Sequence, residues 1–157
     1  AKSIFMTDVY HPLIDKPVYN TQHLNQNCLI TGSNASGKST YIKAIAINVL
    51  LAHNIHTCMA KEMRLPPALL ITSMAVRDDL MEGESYYIKE IKYLNRIIEN
   101  LDADRFILCM IDEILRGTNT EERIAASTAI LKYIVDKNCI AVVASHDIEL
   151  TQLLSAD

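Results

Sequence analysis

Short apolar runs alternate with longer amphipathic stretches along this chain. The runs have the length and composition of strands, and they read NCLIT (27–31), ALLITSMAV (68–76), RFILCMI (105–111) and CIAVVAS (139–145). Because each run is almost continuous in apolar residues, it predicts a strand that is buried on both faces, as in a parallel sheet.

The intervening stretches repeat apolar residues at the spacing of an amphipathic helix. The predicted buried stripes are Ile42, Ile45, Val49 and Ala52; Tyr87, Ile91, Leu94, Ile98 and Leu101; and Ile124, Ser127, Leu131 and Ile134. All prolines lie outside these stretches, which supports the helix boundaries. The alternation favours an α/β fold with a mostly parallel central sheet flanked by helices on both faces.

The first part of the chain is less regular. SIFMTDVY allows a strand, and HPLIDKPVYN reads as extended chain punctuated by prolines. The length of 157 residues predicts one domain, 1–157, with a core over 27–157 and an extended lead-in over 1–26. Since the sequence starts with Ala1 rather than Met, we expect a fragment of a longer protein.

The composition and charge of the chain argue against a membrane segment and against a DNA-binding surface. With 50% hydrophobic and 22% charged residues, the chain reads as soluble and globular. It has neither a signal peptide nor an apolar run of the roughly 18 residues that a membrane span needs, so we expect a cytoplasmic segment without membrane contact. The net charge is −4 and no basic block occurs, so we expect any DNA to be held by domains outside this segment.

The cysteines are widely spaced and form no CxxC pair; they are Cys28, Cys58, Cys109 and Cys139. Buried free thiols in a reducing cytoplasm are the favoured interpretation, with structural zinc or disulfides as the alternatives.

A glycine-rich segment, GSNASGKST (32–40), follows the first apolar run and matches the pattern GxxxxGK(S/T). Gly32 and Gly37 let the backbone turn tightly, so that successive N–H groups point at phosphate oxygens. Lys38 adds a positive charge near the β and γ phosphates, Ser39 can ligate magnesium, and the next helix presents its positive end. The segment therefore predicts a nucleotide phosphate site.

Two later strands end in candidate catalytic residues. ILCMIDE (107–113) places Asp112 where it can hold magnesium and Glu113 where it can act as general base. The final strand ends in ASHD, which puts His146 at the same sheet edge, where it can contact the γ-phosphate or orient water. The alternative is that acids and a histidine end these strands for solubility or structure.

The order of these motifs carries a resemblance. GSNASGKST, then DDLMEGESYYIKE, then MIDEILRGTNT, then SHDIELTQL is similar to the ATPase domain of the MutS family, relatives of the ABC-type ATPases. The resemblance covers nearly the whole chain, and DEILRGTNT is its most diagnostic part. It implies a P-loop NTPase fold of the ABC-ATPase type and an Mg²⁺-dependent ATPase activity in a mismatch-repair-like protein.

The resemblance also implies roles for individual residues. Ser39 and Asp112 would hold Mg²⁺, Glu113 would activate water, and His146 would sense the γ-phosphate. Either Val18 or Tyr19 would pack against adenine. The phosphate loop that binds ATP comprises Gly32, Ser33, Asn34, Ala35, Ser36, Gly37, Lys38, Ser39 and Thr40.

The segment MEGESYY has two interpretations. Ser85 is a suitable N-cap for a helix predicted over 86–101. The resemblance implies a second role, in which Gly83 and Ser85 of one chain face the γ-phosphate bound by another. We therefore expect a homodimer in the full-length protein and weak association of this segment alone, because family members continue into a dimerisation element.

Departures from the family pattern limit these implications. Ser33, Ala35 and Ser36 stand where mismatch-repair members have Pro, Met and Gly, and Tyr86 and Tyr87 replace a Thr-Phe pair. These changes bear on mismatch recognition, whereas ATP chemistry depends on residues that are present. The alternatives are a nucleotide-gated binding module with little turnover, and a transporter or chromosome-organising ABC-type ATPase, which would show an LSGGQ-like segment where this chain reads MEGES.

Overall fold

The computed structural model describes residues 2–74, 86–101 and 104–154, with only the backbone of Tyr86. Strands and helices follow in the order β1 (Ile4–Val9), β2 (Asn20–Leu24), β3 (Cys28–Thr31), α1 (Lys38–Ile55), β4 (Glu62–Arg64), β5 (Leu69–Ser73), α2 (Tyr86–Leu101), β6 (Ile107–Asp112), α3 (Thr120–Val135), β7 (Cys139–Ser145) and α4 (Glu149–Leu154).

The four predicted apolar runs form one parallel sheet in the order β3-β7-β6-β5. Strand β7 therefore lies between β3, which precedes the glycine-rich segment, and β6, which ends in the paired acids. In register, Thr31 of β3 is opposite Ser145, and Asp112 of β6 is opposite Ala144. The carboxyl ends of all three strands consequently meet at one edge.

Helices cover both faces of this sheet, as the sequence predicts. Leu108 and Met110 of β6 face a core with α1, whereas Ile107, Cys109 and Ile111 face a second core with α2 and α3. All five side chains are fully buried. Since burying one large aliphatic side chain stabilises a fold by about 1.5–3 kcal/mol, the central strand anchors both layers.

Helix α2 occupies the predicted range, but its buried stripe differs at one position. Leu94, Ile97 and Leu101 pack in the core, whereas the periodicity assigned Ile98 to this face. Ile97 is fully buried and Ile98 only partly so. Both residues are isoleucine, so hydrophobicity alone did not separate them.

The start of the chain contributes a second, antiparallel sheet in the order β2-β1-β4. The stretch SIFMTDVY contains β1, and its Ile4, Met6 and Val9 are fully buried in the core with α1. Asn48 of α1, also fully buried, donates from Nδ2 to the Tyr10 carbonyl at 3.0 Å and accepts from the Met59 N–H at 2.5 Å. This amide ties α1 to the end of β1.

The four cysteines are free thiols, with Cys109 buried and the others partly buried. Burial raises the pKa of Cys109 to about 12 and that of Cys139 to about 11. None of the helices in the described part of the chain is long and apolar enough to cross a membrane.

Candidate functional site

The glycine-rich loop and the start of α1 lie at the carboxyl edge of the parallel sheet. Gly37 has φ 94°, a conformation that favours glycine, and Ala35 takes a left-handed φ of 63°. No side chain caps the start of α1, and no acidic residue lies in its first turn. The free N–H groups and positive end of this helix therefore face the loop and favour an anion.

Lys38 is turned back onto the loop that precedes it. Its Nζ donates to the carbonyl oxygens of Gly32 and Ser33, at 2.6 and 2.8 Å, and the residue is only 9% exposed. The ammonium group thus stabilises the conformation of the loop and lies close to an anion bound by the loop.

The hydroxyl of Ser39 donates to Oδ1 of Asp112 at 2.9 Å, which joins the loop to the end of β6. Two oxygens at adjacent corners of an octahedral Mg²⁺ shell lie about 2.9 Å apart, because Mg–O distances are about 2.0–2.1 Å. The pair fits magnesium in type and spacing. Mg²⁺ in proteins is commonly held by one or two side chains together with phosphates and water, so two protein oxygens are enough. Across the residues that the structure describes, no group of three His, Cys, Asp or Glu side chains is arranged for a metal.

Glu113 has a strained backbone and a side chain engaged on both oxygens. Its φ is 65°, and its N–H donates to the Ala144 carbonyl at 2.9 Å, which pins it to β7. Oε2 lies 2.5 Å from Arg116 Nε, and Oε1 lies 3.3 Å from His146 Nδ1. Left-handed non-glycine residues cost about 1–3 kcal/mol and cluster at functional sites, so this conformation favours a functional role.

A cavity of about 400 Å³ opens over the loop. It is lined by Asn34, Ala35, Ser36, Gly37, Lys38, Ser39, Thr40, Glu113 and Arg116. The loop residues and Glu113 thus line the same cavity.

A second cavity, of about 690 Å³, lies between the loop and the start of the chain. Val18 lines it with an exposed apolar side chain, and Tyr41 and Gly32 line it from the other side. Tyr19 instead packs edge-to-face on Tyr10, with ring centroids 5.2 Å apart. Of the two candidates for adenine, Val18 therefore borders the cavity.

Gly83 and Ser85 lie outside the described residues. The helix that follows them is nevertheless close to the loop after β6. A Cβ added to Gly117 of that loop would lie 3.0 Å from Cβ of Tyr87. Tyr87 stands in the first turn of α2.

Four polar residues of the site were not assigned from the sequence. Glu90 accepts from the backbone N–H groups of Arg116 and Gly117. Arg123 pairs with Asp147 beside His146. Arg116, Asp147 and Glu90 lie within the quoted motifs, whereas Arg123 looks like an ordinary polar helix position and carries no distinguishing signal.

Fold and site together define an α/β protein whose parallel sheet carries a glycine-rich loop, paired acids and a histidine at one edge. The family model of MutS domain V matches residues 28–157. The chain belongs to the MutS family.

Individual relatives agree with this assignment. The DNA mismatch repair protein MutS of Fusobacterium nucleatum subsp. nucleatum is 36% identical over 132 residues, which are 82% of this chain and 14% of the relative. MutS protein homolog 4 of Mus musculus is 34% identical over 155 residues, 92% of this chain and 16% of the relative. The DNA mismatch repair protein MutS of Aquifex pyrophilus is 37% identical over 127 residues, 80% and 15% respectively. The chain thus spans no more than 16% of the length of these relatives.

Proposed function

We propose that this chain is a Mg²⁺-dependent ATPase domain of a MutS-related DNA repair protein, built on an ABC-type P-loop fold. The main support is the Ser39–Asp112 hydrogen bond of 2.9 Å, which joins the glycine-rich loop to the strand with the paired acids. Glu113 follows Asp112 directly in the chain and lines the cavity over the loop.

The two cavities suit the two halves of ATP. The smaller one is lined by Lys38, Ser39 and other residues at the start of α1, and a lysine and a helix start favour phosphates. The larger one presents Val18 and the ring of Tyr41, which favour a flat apolar base. Gly37 and Lys38 line both cavities, so the base and the phosphates would lie on either side of the loop.

Hydrolysis would proceed by positioning and charge stabilisation. Lys38 would exchange its two carbonyl partners for phosphate oxygens. Ser39 and Asp112 would hold Mg²⁺, which supplies charge neutralisation when bound. Water attacks the γ-phosphorus, the bond to the bridging oxygen breaks, and Glu113 accepts the proton of the water. His146 would orient Glu113 or contact the γ-phosphate.

We further propose that two full-length chains bind ATP head to tail. Gly83 and Ser85 of one chain would face the γ-phosphate on the other, and domains outside this segment would hold DNA. The support is positional, since α2 begins directly after these two residues and a helix start favours an anion.

A nucleotide-gated binding module with little turnover is the second candidate. One observation favours it: both carboxylate oxygens of Glu113 already have partners, Arg116 and His146. While both oxygens are occupied in this way, neither is free to accept a proton from water, so a single chain would bind ATP without rapid hydrolysis until one partner is released.

Nucleotide binding is tested by calorimetry on purified chain with ATP and Mg²⁺. Lys38→Met keeps the length of the side chain but removes its charge, so we expect a loss of affinity of roughly 10- to 100-fold, as for a charged hydrogen bond. Lys43→Met is the matched control, because Lys43 is exposed on the same helix. Equal affinities in the two variants would exclude a phosphate role for Lys38.

Turnover is tested by phosphate release as a function of chain concentration. Glu113→Gln should bind ATP normally and lose at least about 100-fold in rate, since general bases contribute roughly 10²–10⁴-fold. Ser85→Ala should lower only the part of the rate that rises with concentration. Normal ATP binding without release in the unaltered chain would select the binding module.

A further inference from the structure

Arg123 of α3 forms a two-point ion pair beside the end of β7. Its Nε donates to Oδ2 of Asp147 and its Nη2 to Oδ1, each at 2.7 Å. Both side chains are largely buried, and the Asp147 N–H donates to Ser145 Oγ at 3.0 Å. Two parallel hydrogen bonds fix the plane of a guanidinium group. The pairing lowers the pKa of Asp147 and raises that of Arg123, so both groups stay charged.

The same guanidinium group contacts the ring of His146. Besides its bond to Asp147, Arg123 Nη2 lies 3.3 Å from His146 Nε2 and 3.4 Å from Thr120 Oγ1, so both atoms are within reach of its second hydrogen. A guanidinium group only donates, so this contact is a hydrogen bond when Nε2 is the unprotonated acceptor. A neutral imidazole has one N–H, which is then on Nδ1.

The other ring nitrogen faces the candidate general base. His146 Nδ1 lies 3.3 Å from Glu113 Oε1, an ion-pair distance at which an N–H on Nδ1 is attracted by the carboxylate without an aligned hydrogen bond. The opposite tautomer would place two donors against each other at Nε2 and a lone pair against Glu113. The charged groups that face this ring are Glu113 at the end of β6, Arg123 from α3 and the adjacent Asp147.

We propose that Arg123 is a positioning residue, which holds His146 in the Nδ1–H tautomer and keeps that side of the ring beside Glu113. This role rests on the proposed function for its effect on hydrolysis, but the tautomer itself does not depend on ATP. Through His146, the guanidinium group links α3 to the surroundings of one oxygen of the candidate base.

The tautomer is read by two-dimensional ¹H–¹⁵N spectra of chain labelled at histidine, without nucleotide and at neutral pH. His146→Gln identifies the signals of His146. We expect Nδ1 protonated and Nε2 unprotonated in the unaltered chain. Arg123→Lys keeps the charge opposite Asp147 but has no second donor in a fixed plane, so the Nε2–H form should become populated.

Two further variants complete the test. Arg105→Lys is the matched control, since Arg105 is exposed and contacts Asn100 rather than the site, and its spectrum should keep the Nδ1–H pattern. If Arg123→Lys does not fold, Arg123→Met with Asp147→Met removes the pair together, and the Nε2–H form should again appear. An Nε2–H pattern in the unaltered chain, or no change in either Arg123 variant, would overturn the proposal.

Kinetics separate this proposal from the proposed function. Arg123→Lys should lower kcat about 10-fold with little change in KM, as expected for misplacement of a catalytic group. A chain that shows the expected tautomer but no ATP hydrolysis would contradict the proposed function alone. Hydrolysis with an unchanged tautomer in the variants would contradict only the role of Arg123.

Discussion

The carboxylate of Glu90 accepts a hydrogen bond from the backbone N–H of Gly117, at 3.1 Å between Oε2 and N. Its other oxygen accepts from the Arg116 N–H at 3.0 Å, so one side chain of α2 holds two consecutive amides of the loop after β6. Glu90 is only 9% exposed. Because Glu113 begins this loop, these two hydrogen bonds connect helix α2 to the loop that carries the candidate base.

Replacing Glu90 with alanine should destabilise the fold by about 2–3 kcal/mol, because two backbone N–H groups lose a charged acceptor. Glu99→Ala is the control, since Glu99 is exposed on the same helix, and it should change stability by less than about 0.5 kcal/mol. Urea unfolding followed by circular dichroism measures both. Equal effects in the two variants would show that the Glu90 hydrogen bonds contribute nothing to stability.

Gly117 leaves no room for a side chain. An added Cβ would lie 3.0 Å from Cβ of Tyr87 and 3.2 Å from its Cα. Gly117→Ala should therefore move α2 or the loop and cost about 1–3 kcal/mol, the usual cost of overpacking, as measured by urea unfolding. Tyr87→Ala should not rescue it in the double variant, because the contact involves Cβ and backbone rather than the ring. Restoration of stability by Tyr87→Ala would show that the clash involves the ring.

The sequence predicted the sheet and its helices well, because apolar runs such as ILCMI are buried on both faces and leave little choice of role. The sequence did not predict the pairing of β1 with β2 and β4. Neither of these two polar edge strands shows a clear alternation of apolar and polar residues. Strand β4, Glu62–Arg64, is only three residues long and mostly exposed. Its position depends on contacts with β1 that no local pattern encodes.

The residues of the candidate site also differ in how far the sequence alone predicts them. Roles for Lys38 and Ser39 could be predicted from the sequence, because their motif has a mechanical reason at each position. Arg123 could not, because its role follows from the neighbourhood of α3 and the end of β7. A single arginine on a helix has the same appearance when it is solvated and when it orients a histidine.

Asn48 is a fully buried amide with three hydrogen bonds, to Tyr10, Ala44 and Met59. Asn48→Ala should destabilise the fold by about 2–3 kcal/mol, since it leaves the partly buried Met59 N–H and Tyr10 carbonyl without these partners. Asn54→Ala is the matched control, because Asn54 makes the corresponding bond to the carbonyl four residues earlier but is exposed. Chemical unfolding should give less than about 0.5 kcal/mol for the control. A similarly small value for Asn48→Ala would contradict a structural role for this amide.

We predict that the free energy of unfolding falls at alkaline pH because the thiol of Cys109 is buried. Burial raises the pKa of its thiol from an ordinary value of 9.0 to about 12. The unfolded chain therefore loses this proton first, so the stabilisation is complete below about pH 9 and disappears progressively between about pH 9 and 12. At about pH 10.5 the loss from this thiol is about 2 kcal/mol, since each pH unit contributes about 1.4 kcal/mol.

The measurement is the difference in unfolding free energy between the unaltered chain and Cys109→Ala, which should shrink with rising pH because alanine has no proton to lose. Val143→Ala, a change in the same core without an ionisable group, should show a constant difference. A constant difference for Cys109→Ala as well would mean that the thiol ionises as easily in the folded chain as in the unfolded one.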